Sequence, residues 1–285
     1  MLEFENVSYV YGEGTPFRKV ALDNVSVKIQ PETVTGIIGH TGSGKSTISQ
    51  LMNALLKPTS GRVLLDGKDI WDKDCDRNAV RHRVGLVFQY PEYQLFEETV
   101  GADIAFGPKN MGLCDEDIKE RVLYAAHFTG ISEDMLNKSP FELSGGQKRR
   151  VAIAGVIAMD PEILVLDEPA AGLDPKGKND ILGSLCDFRK KRGNTLVIIS
   201  HSMEDIALYS DRIITMSGGR ILLEGTPSEV FSQSELLKQN GLAVPQVTEI
   251  LSRLRLSGFE LDASRYTLDG AAQEIMRALF DKKRS

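Results

Sequence analysis

The stretch Gly39-His40-Thr41-Gly42-Ser43-Gly44-Lys45-Ser46-Thr47 sets glycines, a lysine and a hydroxyl in the spacing G-x-x-x-x-G-K-S, after an apolar run and before a helical one. Glycines let a backbone curl so that successive N–H groups face a phosphate, and the helix N-terminus behind them adds its positive dipole end. In such a loop Lys45 reaches the β- and γ-phosphates of a nucleotide, while the Ser46 hydroxyl can ligate Mg²⁺. The chemistry to expect is phosphate binding.

Far downstream, Ile163-Leu-Val-Leu-Asp167-Glu168 ends an apolar strand in two carboxylates. Alternate side chains of a strand face opposite ways, so the two should play different parts. Asp167 is assigned to Mg²⁺, through water, and Glu168 to the water that attacks the γ-phosphate. Between these features lies Leu143-Ser144-Gly145-Gly146-Gln147, directly before an apolar-rich helical stretch. Each glycine inside a helix costs about 1 kcal/mol relative to alanine, so the pair asks for a reason.

Elements must bring these residues together. Residues 1–65 hold the short runs LEFENVSYVY, ALDNVSVKI, TVTGIIG and RVLLDG, separated by turn formers and read as strands. Ile48, Leu51, Met52, Leu55 and Leu56 recur at helical spacing after the phosphate loop. From about 92 to 143 the strand signal disappears, and DEDIKERVLYAAHF places Ile118, Val122, Leu123 and Ala126 on one helical face. EILVLDE and NTLVIIS then read as parallel strands buried on both faces, with a helix at 176–192 between them. RIITM-SGG-RILLEG reads as a hairpin, and 227–285 as a helical tail ending in KKRS.

Composition narrows the class. A 285-residue chain with 41% hydrophobic and 26% charged residues is an ordinary globular protein. A net charge of −6 and an acidic pI argue against nucleic acid as a partner, because phosphate neutralisation needs a basic face. Cys75, Cys114 and Cys186 are odd in number and lack C-x-x-C spacing, which predicts free thiols in a reducing compartment. The opening MLEFENVSYV has no basic-then-apolar leader, and the longest apolar run, VAIAGVIAM, is too short for a bilayer span of about twenty residues. Membrane contact is therefore expected only through a partner.

The phosphate loop, Gln89 at the end of VGLVFQ, LSGGQ, LVLDEP and His201 after LVIIS occur in an order that resembles the nucleotide-binding domain of ATP-binding cassette (ABC) proteins, over residues 2–230. The resemblance implies an α/β fold of the P-loop NTPase type, with a mixed sheet core, an antiparallel β subdomain and a helical subdomain at about 92–150. It implies a cassette at 1–226, a small helical extension at 227–285, and ATP and Mg²⁺ as cofactors. In the family, two domains sandwich two ATPs head to tail, and LSGGQ of one cradles the γ-phosphate held by the other. The glycine pair then serves as an anion site made of exposed backbone N–H groups. With one loop, one signature and no second module, this chain must pair with a second ATPase subunit, itself or a paralogue.

By the same resemblance Gln89 senses the γ-phosphate and Mg²⁺, His201 contacts the γ-phosphate and attacking water, and Leu173-Asp174 lies in the loop through which subunits communicate. Tyr11 is preferred to stack on adenine, with Tyr9 as the rival because alternation puts both on one face. Lys148, Arg149 and Arg150 are expected as solvated or subunit-facing charge, and Met203, Met216 and Met276 as packing residues.

The segment QYPEYQLFEETV, with FGPKNMG and SPFELSGGQ, narrows the resemblance to the ATPases of energy-coupling factor transporters, which import vitamins and some metal ions. GHTGSGKST with GEGTPFRKVAL is most similar to the second of their two paralogous ATPases. That implies a transmembrane coupling subunit and a substrate-binding membrane subunit as partners, and a peripheral place on the cytoplasmic face of the membrane. An ATPase of another ABC importer subfamily, or a soluble ABC-type assembly ATPase, is the alternative. Tyr90, Tyr93, Leu95 and Phe96 form an aromatic surface loop suited to receiving a partner's amphipathic helix, unless they only pack the helical insert onto the core.

Overall fold

A computed structural model describes residues 1–262 and 265–282, with side chains through 280; the last three residues of the tail motif lie outside them. Strands β1 (Leu2–Tyr11), β2 (Lys19–Ile29) and β3 (Val34–Gly39) lead to helix α1 (Lys45–Met52), followed by β4 (Ser60–Leu65), β5 (Lys68–Asp69), α2 (Arg77–Arg83) and β6 (Val84–Val87). Helices α3 (Val100–Asn110), α4 (Asp115–Thr129) and α5 (Gly145–Ile157) form the insert. Then come β7 (Ile163–Asp167), α6 (Pro175–Arg192), β8 (Thr195–Ile199), α7 (Met203–Tyr209), β9 (Arg212–Ser217) and β10 (Arg220–Gly225). The tail carries α8 (Pro227–Ser232), α9 (Ser234–Gln239), α10 (Gln246–Leu256) and α11 (Leu268–Lys282).

Two sheets result. One is antiparallel, in the order β2-β1-β4-β5; the other runs β10-β9-β3-β8-β7-β6, parallel except for the β9–β10 hairpin. The parallel strands are largely apolar and almost wholly buried because they feed two cores by alternation. Ile163 and Val165 of β7 face the core shared with the antiparallel sheet and α1, while Leu164 and Leu166 face the helical side. In the hairpin, Gly218 (φ 56) and Gly219 (φ 79) supply the paired left-handed conformations of a tight primed turn.

Some details differ from the periodicity. The helix after the phosphate loop stops at Met52, since Asn53 turns its side-chain amide to the Val84 carbonyl and Ala54 takes φ 55, leaving Leu55 exposed. On α4 the buried stripe is Ile118, Val122, Ala125, Ala126 and Phe128, with Leu123 only half-buried. Met203 and Met216 are core residues, but Met276 is 51% exposed and does not pack. Helices α8 and α9 join the large core through Val230, Phe231 and Leu237, whereas α10 and α11 enclose a small core of their own around Leu251, Leu261, Ala271 and Ala278.

Candidate nucleotide site

The phosphate loop joins β3 to α1, and its glycines answer to crowding. A Cβ on Gly39 would fall 2.3 Å from Ser43 Oγ and 2.6 Å from the Met216 carbonyl; Gly44 has φ 104, and a Cβ there would meet the Ala21 carbonyl at 2.7 Å. The loop is thus pressed onto β2 and β9, with Gly219 N–H donating to the Ser43 carbonyl at 3.2 Å. Lys45 is buried and donates to the Gly39 carbonyl at 2.7 Å and the His40 carbonyl at 3.0 Å, so its ammonium is held at the loop's mouth. Burial pushes the Lys45 pKa down, opposed by Glu168 and Asp167.

A cavity of about 260 Å³ opens over this loop. Thr41, Gly42, Gly44, Lys45, Ser46 and Thr47 line it together with Tyr11, Gln89, Asp167, Glu168 and His201. Gly39, His40 and Ser43 shape the loop from behind. Lys19 and Ala21 also line the cavity and were not anticipated. Their signal was the i, i+2 spacing on β2, with a small residue where the loop passes close.

Asp167 is the last residue of β7 and accepts the Ser46 hydroxyl hydrogen bond at 2.8 Å. Alternation would send Glu168 to the opposite face, and here the sequence argument fails: Glu168 has φ 54, which swings its carboxylate back so that both acids face one cavity. A left-handed conformation in a non-glycine residue costs on the order of 1 kcal/mol or more, and such strain gathers at functional sites. The Glu168 N–H still donates to the Ile199 carbonyl at 2.9 Å, locking the turn to β8. Glu168 Oε1 is buried without a hydrogen-bond partner, 3.6 Å from His201 Nε2. Burial first, then the neighbouring Asp167 charge, pushes the Glu168 carboxyl up to about 7. Burial also raises Asp167 and lowers His201, the latter helped by Lys45.

Tyr9 and Tyr11 do share a face, their rings 4.8 Å apart edge to face. Tyr11 is the one at the cavity, with its hydroxyl 3.3 Å from Thr47 Oγ1, while Tyr9 packs against the core.

The LSGGQ residues line no part of this cavity. Ser144 caps α5: its hydroxyl accepts from the Gln147 N–H at 3.3 Å, and Gln147 Oε1 accepts from the Ser144 N–H at 2.9 Å. Leu143 anchors the turn in the core, while Ser144 and Gly145 are exposed. A Cβ on Gly145 would meet nothing within 4 Å, so its own chain gives no reason for glycine there. Asp174 caps α6 by accepting from Gly177 N–H at 2.8 Å, also outside the cavity. Arg149 departs from expectation. It is 4% exposed, ion-paired with Glu92 at 2.8 Å and hydrogen-bonded to the Ala171 carbonyl. Arg150 instead caps the Thr129 carbonyl at 2.8 Å, and Lys148 lies over the Phe141 ring.

Beside the insert lies a groove of about 350 Å³ lined by Leu95, Phe96, Phe106, Val156 and Met159, with Asp103 at its base. Tyr90, Tyr93 and Phe96 are 49%, 84% and 60% exposed, so they leave an aromatic surface, while Leu95 packs inward. No helix among the described residues is long and apolar enough to cross a membrane.

Comparison with known proteins gives a consistent picture. The ABC transporter family model matches residues 22–171. The energy-coupling factor transporter ATP-binding protein EcfA2 of Caldanaerobacter subterraneus subsp. tengcongensis is 53% identical over 98% of this chain and 97% of its own length. Its counterpart in Clostridium acetobutylicum is 52% identical over 99% of each. Among solved structures, cbiO1 of Clostridium perfringens, part of the ABC transporter complex cbiONQ, has a TM-score of 0.74 at 40% identity, covering 90% of this chain and 98% of that one. A dimeric post-hydrolysis state of the ATP-binding cassette MJ0796 with ADP and Pi has a TM-score of 0.70 at 30% identity, covering 79% and 98%.

Proposed function

This chain belongs to the ABC transporter family, among the ATP-binding proteins of energy-coupling factor transporters, and on that footing we propose how its residues bind and hydrolyse ATP and which partners they serve. It is an ATPase that energises uptake across a membrane. The carrying observation is the division of the site: the phosphate loop, both carboxylates, Gln89 and His201 share one cavity, while the signature lies outside it, with Ser144 and Gly145 exposed and open space around Gly145. A second cassette supplies what each cavity lacks, docking its Gly145 and Gly146 N–H groups and the Ser144 hydroxyl on the γ-phosphate. The partner is a paralogous ATPase or a second copy.

Within the cavity the backbone N–H groups of 41–46 and the Lys45 ammonium take the phosphates, and Tyr11 stacks on adenine. Glu168 orients and deprotonates the attacking water in line with the γ-phosphate, His201 holds that water and the γ-phosphate, and Gln89 reports the γ-phosphate to the loop that follows it. Asp174 contributes from the loop between subunits.

Ser46, Asp167 and Gln89 fit Mg²⁺: they offer hard oxygen donors in one place, already joined by the 2.8 Å Ser46–Asp167 contact. When bound, Mg²⁺ neutralises phosphate charge.

We take 1–226 as the cassette, with 92–150 as its helical part, and 227–285 as an extension. The groove at Phe96 and Phe106 receives an amphipathic helix of a transmembrane coupling subunit, which in turn drives a substrate-binding membrane subunit from the cytoplasmic face. Gentle extraction of membranes with this subunit tagged tests the reading. A second ATPase and a multi-span protein should come along; only soluble partners would overturn it.

A further inference from the structure

Among the described residues, Arg149 carries the most deeply buried charge that the proposed reaction leaves unused. Its Nε and Nη2 grip Glu92 Oε2 and Oε1 at 3.1 and 2.8 Å, and its Nη1 donates to the Ala171 carbonyl. This uses the planar fork of arginine in a way lysine cannot copy. Three segments meet there. Arg149 stands on α5, two residues past the signature; Glu92 lies in the 3-10 turn Pro91–Gln94, three residues beyond Gln89; Ala171 lies three residues beyond Glu168 and donates its own N–H to the Glu168 carbonyl at 3.2 Å.

Both tethered segments begin at a strained residue. Tyr90 (φ 57) enters the 3-10 turn and Glu168 (φ 54) enters the other, and neither is a glycine. Strained conformations persist only where the surroundings over-determine them, and a buried bidentate pair with a third hydrogen bond is such a surrounding. Buried ion pairs are poor sources of stability, because desolvation offsets the attraction, so stability alone does not account for this one.

We propose that Arg149 is a positioning residue for hydrolysis: gripping Glu92 and the Ala171 carbonyl at once, it fixes the loop after Gln89 to the turn that carries Glu168. The aromatic, partner-facing segment 90–96 and the hydrolytic carboxylate therefore move as one body. A Cβ on Gly146 would lie 3.4 Å from Leu173 Cδ2, so the same turn also rests on the signature helix. The proposal rests on the reading of Glu168 as the base.

The test replaces both partners by apolar groups of similar size, Glu92→Met with Arg149→Met, a change that buried pairs commonly tolerate in folding. ATP turnover is measured in the assembled transporter. We expect KM for ATP to stay within about twofold and kcat to fall roughly 10- to 100-fold, the scale of an ångström's misplacement of a reacting group. A folded double variant with parental kcat overturns the proposal, as does a loss confined to its melting temperature. If the double variant does not assemble, Glu92→Asp decides: it keeps the charge but cannot span the fork, so a several-fold lower kcat at unchanged KM is expected, and parental kcat overturns. Glu168→Gln is run alongside. If that variant keeps turning over ATP, the reading of the base has failed; if it is dead while the double variant is normal, only the Arg149 tether has.

Discussion

Replacing Glu168 by glutamine should act in opposite directions on turnover and on stability, and the second effect has a pH dependence that can be worked out beforehand. Without nucleotide the buried Glu168 carboxyl titrates near 7, against 4.5 in an unfolded chain. Between those values the folded protein holds a proton that the unfolded chain has released, so stability falls as pH rises through this window. The penalty is absent below about 4.5 and complete above about 7. At 1.36 kcal/mol per pKa unit the full shift comes to a little over 3 kcal/mol, and water entering the open cavity screens part of it, leaving roughly 1–3 kcal/mol. Glutamine fills the same space and cannot ionise. At about 2 °C per kcal/mol for a chain of this length, nucleotide-free Glu168→Gln should melt roughly 2–6 °C above the parent at pH 8.5, with most of the gain gone at pH 5. Thermal melts of both proteins at the two pH values measure this. An equal difference at both, or a less stable variant at pH 8.5, would refute burial as the origin of the raised pKa.

In the assembled complex the same variant should lose about 10²–10⁴ in turnover, the worth of a positioned acid or base, while still binding ATP; radiometric hydrolysis with a parallel binding titration separates the two. Lys45→Ala should instead weaken nucleotide binding, by on the order of tenfold or more for a lost charge-assisted contact, seen with a fluorescent ATP analogue. Tyr11→Ala should cost about 1 kcal/mol or more of nucleotide affinity through lost base stacking, whereas Tyr9→Ala should lower melting temperature with little change in affinity. Phe96→Ser should leave ATP binding intact and reduce recovery of the membrane partner in pull-downs.

Short apolar or alternating runs read the strands well because nearly every one is buried on at least one face and β7 and β8 on both, and glycines marked the turns. The cavity's outline followed from motif order, and two things in it did not. Glu168 escapes its strand's alternation through a positive φ, which depends on the β8 contact and not on the residue's own preference. Arg149 looked like surface charge because its neighbours are charged, yet Glu92, 57 positions away, pulls it inside. Met276, expected to pack because methionines usually do, is half exposed, since an apolar residue type does not say whether anything covers it. Lys19 and Ala21 carry no motif; the pairing of Lys19 with Tyr11 and the close pass of the phosphate loop over Ala21 bring them to the site.

The reciprocal hydrogen bonds of Ser144 and Gln147 mean that the outward-facing amides of α5 are already aligned before any second cassette arrives. Closing two such halves then asks for no local folding, so little entropy is lost at that surface and the encounter can be quick. Because the donors are backbone and uncharged, their hold on a phosphate should also respond only weakly to added salt through the protein's own side chains, leaving ionic strength to act mainly on the nucleotide.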